Sequence, residues 1–277
     1  MKKVIAIAAA ALMLLTLLAG CDNNATTPDN GEQTQAKTFT VGFDAEFPPY
    51  GYQDENGEYV GFDLDLAAEV CARNGWELVK KPINWDSKDM ELETELIDCI
   101  WNGFTINGRE DKYTWSTPYV DNSQVVVVGK DSGIASYADL AGKIVAVQAD
   151  SSALAALTEN EDGSNDENIA LAESFEKLVE VPDYNTAFMN LEAGAVDAIA
   201  MDIGVAQYQL EQRGDAFVIL DGTLAAEQYG IGFKLGNTEL RDAVQKTLDE
   251  MAADGTFAKI AEKYEKWGLA QAVCLGK

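Results

Sequence analysis

The run Asn102-Gly103-Phe104-Thr105-Ile106-Asn107-Gly108-Arg109 closes an apolar stretch and offers backbone N–H groups, a hydroxyl and a guanidinium in turn. An arginine behind a strand end can clamp a carboxylate through two parallel bonds. A surface ion pair is the plainer reading of Arg109 from this segment alone. Gln148-Ala149-Asp150-Ser151-Ser152 likewise follows the apolar run Ile144 to Val147 and precedes a helical pattern. Hydroxyls and free N–H groups at a helix start favour an anion; an ordinary serine cap is the alternative. Asp202 comes directly after Val196 to Met201. That is the carboxyl end of a strand, where ligands of open α/β sheets gather. Its carboxylate suits an ammonium group or a helix cap.

Two further segments mix acids with aromatics: Asp44-Ala45-Glu46-Phe47-Pro48-Pro49-Tyr50 and Asn84-Trp85-Asp86. Aromatic faces beside carboxylates suit a cationic or amide side chain, with cation–π contacts worth about 0.5–2 kcal/mol. Core packing is the alternative for Phe47, Tyr50 and Trp85. The acid pairs Asp44/Glu46 and Asp63/Asp65 are expected by chance in a chain with 47 acids.

The residues that are missing narrow the chemistry. The 277-residue chain has no histidine, so Ser-His-Asp and Cys-His catalysis and imidazole metal ligation are excluded. It carries 20 Lys+Arg against 47 Asp+Glu, a formal charge of −27 with no basic cluster, which argues against nucleic acid. The acidic stretch Thr158 to Asn168 lacks the register of a calcium loop and reads as solvated loop. Gly230, Gly232 and Gly236 miss the dinucleotide fingerprint, and Leu140-Ala141-Gly142-Lys143 lacks phosphate-loop spacing. No cofactor or metal is expected.

The elements that must position these residues alternate. Thr38 to Phe43, Ile97 to Phe104, Gln124 to Val128, Ile144 to Val147, Val196 to Met201 and Gly230 to Lys234 read as strands. Tyr52 to Phe62 reads as a hairpin on Asn56-Gly57. Asp63 is expected to cap a helix through Asn74 that ends at Gly75. Asn185 to Glu192 is a helix ending at Gly194. Glu239 to Lys266 is helical with a break near Asp254-Gly255. Strands alternating with helices imply α/β architecture with largely parallel sheets.

The N-terminus reads as a processing signal. Lys2 and Lys3 precede an apolar run from Val4 to Ala19, which leads to Leu18-Ala19-Gly20-Cys21. That is the layout of a lipoprotein signal peptide spanning 1–20, with lipid on Cys21. The run is short of the roughly 20 apolar residues of a membrane span. Residues 21–37 hold almost no large apolar side chain and read as a flexible tether. Cys71, Cys99 and Cys274 remain, an odd number that excludes a fully paired framework. Cys71 and Cys99 read as buried small hydrophobes, with a disulfide between them left open.

Together the runs FTVGFDAEFPPYGY, GEYVGFDLDLA, IDCIWNGFTINGRE, YTWSTPYV, DLAGKIVAVQADSSA, LEAGAVDAIAMD and YGIGFKLGNTEL cover nearly everything from Phe39 onward. In this order the chain resembles the polar amino-acid-binding proteins of ABC importers, extracellular solute-binding family 3. The resemblance implies a two-lobed, type II periplasmic-binding fold with two hinge crossover strands. Residues 38–121 plus 229–277 would form one lobe and 122–228 the other. It implies that Arg109 binds the α-carboxylate with Thr105 and Ser152. Asp202 and the Gly103 carbonyl would accept the α-ammonium, and Phe47 and Trp85 would sandwich the side chain. Asp44 would meet its polar end, with Tyr50, Gln148 and Ser151 as further contacts. A cationic amino acid is favoured, glutamine or cystine being possible. The implied partners are a permease with its ATPase, and the membrane through the Cys21 lipid; the protein would be a monomer outside the cytoplasm. The same scaffold implies two alternatives, a cyclohexadienyl-dehydratase-like enzyme and a ligand-sensing surface lipoprotein. Two departures stand out. Thr105 to Arg109 is one residue shorter than the family's usual interval, and Asp150 replaces the glycine of a Gly-Thr-Thr run.

Overall fold

Alternation along Thr38–Phe43 turns Phe39, Val41 and Phe43 into the core, and this strand becomes the middle of one wing of a sheet. The computed structural model describes residues 36–160 and 165–277. The expected leader 1–20 and Cys21 lie outside the described residues, as does all but the end of the tether. The strands are β1 (Thr38–Phe43), β2 (Glu46–Phe47), β3 (Gly51–Gln53), β4 (Tyr59–Val60), β5 (Glu77–Pro82), β6 (Cys99–Thr105) and β7 (Thr114–Trp115). They continue as β8 (Val120–Gly129), β9 (Ile144–Gln148), β10 (Lys177–Val181), β11 (Ala198–Asp202), β12 (Phe217–Ile219) and β13 (Ala225–Phe233). The helices are α1 (Phe62–Asn74), α2 (Lys88–Glu93), α3 (Ser152–Thr158), α4 (Asp166–Glu173), α5 (Tyr184–Glu192), α6 (Ile203–Arg213), α7 (Thr238–Ala253), α8 (Thr256–Glu262) and α9 (Leu269–Ala272).

The main sheet runs β10-β9-β11-β8-β13-β6-β1-β5, with β12 on β8 and β7 on β13. β1 is parallel to β5 and β6 in the first wing, and β9 is parallel to β10 and β11 in the second. Between the wings every pairing of β8 and β13 is antiparallel. The largely parallel sheet expected from alternation is therefore a mixed one. The chain crosses between the wings twice, out along β8 and back along β13, and the two passes run in opposite senses. β6 and β11 are buried along their whole length, as strands covered on both faces must be.

The hairpin on Asn56-Gly57 forms as β3–β4, with Asp54 Oδ1 accepting from the Asn56 and Glu58 N–H groups at 2.9 Å each. Cap assignment of α1 needs correction. Gly61 is the N-cap, at φ 138°, where a Cβ would lie 2.2 Å from the Tyr50 carbonyl oxygen. Asp63 lies one position inside the helix and turns its carboxylate into the core. Gly75, at φ 66°, ends the helix as expected. The end of the acidic stretch Thr158 to Asn168 is also corrected: α4 starts at Asp166, while 161–164 lie outside the described residues. Cys71 and Cys99 are buried free thiols and Cys274 is a half-buried one.

Candidate functional site

The strand ends of both wings face one another, and each carries a residue singled out above. β6 ends at Thr105 and leads to Arg109; β9 ends at Gln148 and leads to Ser151 and Ser152; β11 ends at Asp202. Arg109 reaches across. Its Nη1 donates to the Ser152 hydroxyl at 3.1 Å and to the Thr105 carbonyl at 3.3 Å, while Nη2 donates to the Asp150 carbonyl at 3.4 Å. The guanidinium lies 5.3 Å from the Phe104 ring centre. Ser151 caps α3 by accepting from the Leu154 N–H at 3.1 Å, the ordinary cap anticipated as its alternative.

A second cation, which sequence reading missed, stands beside Arg109. Lys88 opens α2, is 1% exposed, and pairs its ammonium with the Asp150 carboxylate of the other wing. Its Nζ lies 5.0 Å from the Trp85 ring centre. Burial pulls the Lys88 ammonium below its ordinary pKa, while Asp150 opposes the shift. Asp150 holds φ 54°, a left-handed conformation uncommon outside glycine. Asp150 therefore spans the cleft from a backbone position where the resemblance expects glycine.

Asp44 follows β1 and is buried, accepting from the Gln148 amide at 2.7 Å and from the Glu46 N–H at 2.8 Å. Burial pushes its carboxyl up to about 6. Asp44 and Trp85 line a cavity of about 610 Å³ together with Glu46, Asp86, Glu91 and Asp183. No Lys or Arg is among its lining residues. Trp85 stands edge-on to Phe104 at 5.4 Å. Phe47, expected opposite Trp85, lies deeper, with its ring 5.7 Å from Tyr50 and 6.0 Å from Tyr184. Tyr50 is core, edge-on to Tyr229 at 5.3 Å.

At the crossing strands the polar groups are fully buried. Asp202 Oδ1 accepts from the Tyr229 hydroxyl at 2.5 Å, Gln124 at 2.7 Å and Asn122 at 2.9 Å. The Tyr184 hydroxyl stands 3.4 Å from Oδ2. Glu227 Oε1 accepts from Asn122, Gln124 and the Thr105 hydroxyl at 2.7, 2.8 and 2.9 Å. Burial raises both carboxyls, Glu227 to about 7. Glu227, Asn122 and Gln124 were not anticipated. Their signal is period-two alternation, which puts Glu227 on the inward face with Tyr229.

Gly103 needs its glycine. At φ 56°, a Cβ there would lie 3.0 Å from both the Phe47 and Tyr229 rings. Its N–H donates to Asp63 Oδ2 at 2.6 Å, and the Tyr119 hydroxyl donates to the same oxygen at 2.9 Å. Asp63 thus props the loop that leads to Arg109. Burial pushes this carboxyl up to about 7. Donors for an anion stand at one end of the cleft, buried acceptors for a cation at the crossing strands, and an acid-lined cavity beside them.

Residues 39–266 match the model of bacterial extracellular solute-binding proteins, family 3. The L-cystine-binding protein TcyJ of Escherichia coli (strain K12) is 29% identical over 233 residues, 82% of each chain. A substrate-binding protein of an ABC uptake transporter from Streptococcus pneumoniae, solved with bound histidine, is 30% identical. Its TM-score is 0.74 over 82% of this chain and 92% of that one. An ancestral arginine-binding protein bound to arginine is 36% identical, with a TM-score of 0.73 over 82% of this chain and 97% of that one.

Proposed function

We infer the function from one premise: the chain belongs to the bacterial extracellular solute-binding proteins, family 3. It is a substrate-binding protein of an ABC importer that captures a polar L-amino acid between its two lobes. The observation that carries the reading is Arg109, a first-wing cation bonded to Ser152 and to the Asp150 carbonyl of the second wing. A ligand carboxylate at that fork touches both lobes and favours their closed arrangement by its differential affinity. Asp202 receives the α-ammonium. The side chain enters the cavity beside Asp44 and Trp85. We place the lobe boundaries at 121/122 and 228/229, inside β8 and β13.

The acids lining the cavity, with no cation among them, favour a cationic side chain such as arginine or lysine. Glutamine would leave these charges uncompensated, and cystine would bring a second carboxylate against them. A thermal-shift screen of the twenty amino acids plus cystine and ornithine tests this, since stabilisation follows RT ln(1 + [L]/Kd). Largest shifts are expected for arginine, lysine or ornithine; the largest shift for an acidic amino acid would overturn the assignment. Delivery of the ligand to a permease and its ATPase, and lipid anchoring through Cys21 outside the cytoplasm, complete the reading. Loss of membrane association in Cys21→Ser checks the anchor.

An enzyme on this scaffold is the second reading, favoured by one observation: Glu227 is a buried carboxyl raised to about 7, suited to general acid work. Recovery of every bound amino acid and of prephenate or arogenate unchanged, by mass spectrometry, would exclude it. The named relatives are binding proteins, and we take this chain to bind and release its ligand unaltered.

A further inference from the structure

Where β11, β8 and β13 lie side by side, the buried polar groups are short of donors. Cross-strand registry sets Asp202 opposite Gln124, and Asn122 opposite Glu227. The Asn122 and Gln124 amide nitrogens are each shared between the two carboxylates, at 2.7 to 2.9 Å. The only other donors to these carboxylates, among the described residues, are the hydroxyls of Tyr229, Tyr184 and Thr105. Among the described residues no Lys or Arg donates to either. The amide oxygens Asn122 Oδ1 and Gln124 Oε1 are themselves buried without a donor. Turning either amide round would aim its oxygen at the carboxylates, so the shortage survives any assignment. Two ionised carboxylates that share donors in a buried site repel each other, and one proton between them relieves that repulsion.

We propose that Glu227 is the second carboxylate of the ammonium subsite: with Asp202 it holds one proton when the subsite is free, and the primary ammonium of the bound amino acid displaces that proton. The inference rests on the reading above, that an α-ammonium reaches Asp202. The exchange balances. The ammonium keeps its three hydrogens and the displaced proton passes to the buffer. Thr105 changes role as well. Its hydroxyl proton is committed to Glu227 at 2.9 Å, so it meets the ligand as an acceptor for the ammonium rather than a donor to the carboxylate.

The titratable groups facing Glu227 are Asp202 on β11, Tyr184 on α5, Tyr50 between β2 and β3, and Tyr229 on its own strand. Burial and these acids push the three phenols well up, so they remain neutral. Arg109, beyond β6, spends its guanidinium on the Thr105 and Asp150 carbonyls and on Ser152. Burial and Asp202 hold the Glu227 carboxyl at about 7. The pair therefore keeps its proton to higher pH than a solvated carboxyl does.

Isothermal titration calorimetry of the protein at pH 7 with L-arginine, L-histidine, L-glutamine and L-cystine tests the exchange. It is run in phosphate and in Tris, whose ionisation enthalpies differ. For the tightest binder, the difference in apparent heat between the two buffers should show net proton release on binding. Glu227→Gln should bind within about tenfold of wild type and release none. Equal heats in the two buffers for wild type overturn the proposal, as does unchanged release in Glu227→Gln. Should that variant unfold by circular dichroism, wild type alone decides: its affinity should rise several-fold from pH 6 to pH 8, and a flat profile overturns the proposal. If none of the four ligands gives saturable heat, the underlying reading falls, and the proposal falls with it.

Discussion

Asp202 and Glu227 take their hydrogen bonds from Asn122 and Gln124 on the crossing strand β8, whereas Arg109 and Lys88 of the first wing find theirs across the cleft on Asp150 and Ser152. The first end is assembled mainly by backbone registry: its two amide partners are fixed as soon as β11, β8 and β13 pair. The second end exists only while the wings face each other. The hinge end therefore presents a standing acceptor site, and the cross-cleft end reports closure. Its energetics differ too. Buried carboxylates respond to pH, while the cross-cleft pair of Lys88 with the half-exposed Asp150 responds to salt.

Removal of the cation that spans the cleft should have the largest effect. Arg109→Ala should weaken amino-acid binding by at least about 100-fold in calorimetry, since losing one partner of a desolvated charge pair costs about 2–5 kcal/mol. The variant should remain folded by circular dichroism, because the Arg109 side-chain hydrogen bonds run to Thr105, Asp150 and Ser152 at the cleft rather than into the core. Unchanged affinity would mean that the cross-cleft end does not read the carboxylate.

The buried acids, Glu227 at the hinge end with Asp44 and Asp63 of the first wing, should reveal themselves through pH. Asp44 at about 6, and Asp63 and Glu227 at about 7, all lie above ordinary carboxyl values. The native state then holds more protons than the unfolded chain between about pH 4 and 7, and stability falls as pH rises through that window. The slope is at most about 1.4 kcal/mol per pH unit for each titrating group. Urea unfolding of the free protein at pH 5 and pH 8 checks it, with greater stability expected at pH 5. Equal or greater stability at pH 8 would show that these acids are not held uncompensated.

Lys88→Met and Asp150→Gly should each weaken binding by up to about tenfold. The double variant should cost little more than either alone, giving a coupling of about 1 kcal/mol between them. The coupling should shrink at high salt, because the Asp150 side chain is half exposed. Additive losses would separate Lys88 from closure. Smallest of all, Trp85→Ala should cost a few-fold for a cationic ligand, in keeping with a cation–π contact of about 0.5–2 kcal/mol, and almost nothing for glutamine.

Arg109, Gln148 and Asp202 were legible because each follows an apolar strand, and strand ends gather ligands in α/β sheets. The strands themselves were found by alternation, although β8 and β13 came out short. The halves beyond that reading carry Asn122 and Glu227, polar residues that mask a buried strand. Lys88 had no local signal. It opens Lys-Asp-Met-Glu-Leu-Glu, a run of charges in which nothing local marks a buried one, and its partner Asp150 comes from the other wing. Asp63 was misread as a cap because an acid at a helix start usually is one. Here the close passage of the Tyr50 carbonyl requires Gly61 at that position and turns Asp63 inward. Local patterns thus disclosed single strands and their ends, while the pairing of two strands and the facing of two wings decided the rest.

The central claim is that one ligand carries a carboxylate to Arg109 and an ammonium to Asp202. Calorimetric titration of the protein with L-arginine, and with agmatine, which lacks the α-carboxylate, tests it most directly. Saturable binding of L-arginine with one site per chain is predicted, with agmatine at least about 100-fold weaker, in keeping with the loss of a charge-assisted fork. Equal binding of both, or no saturable heat from L-arginine or any other amino acid, would contradict it.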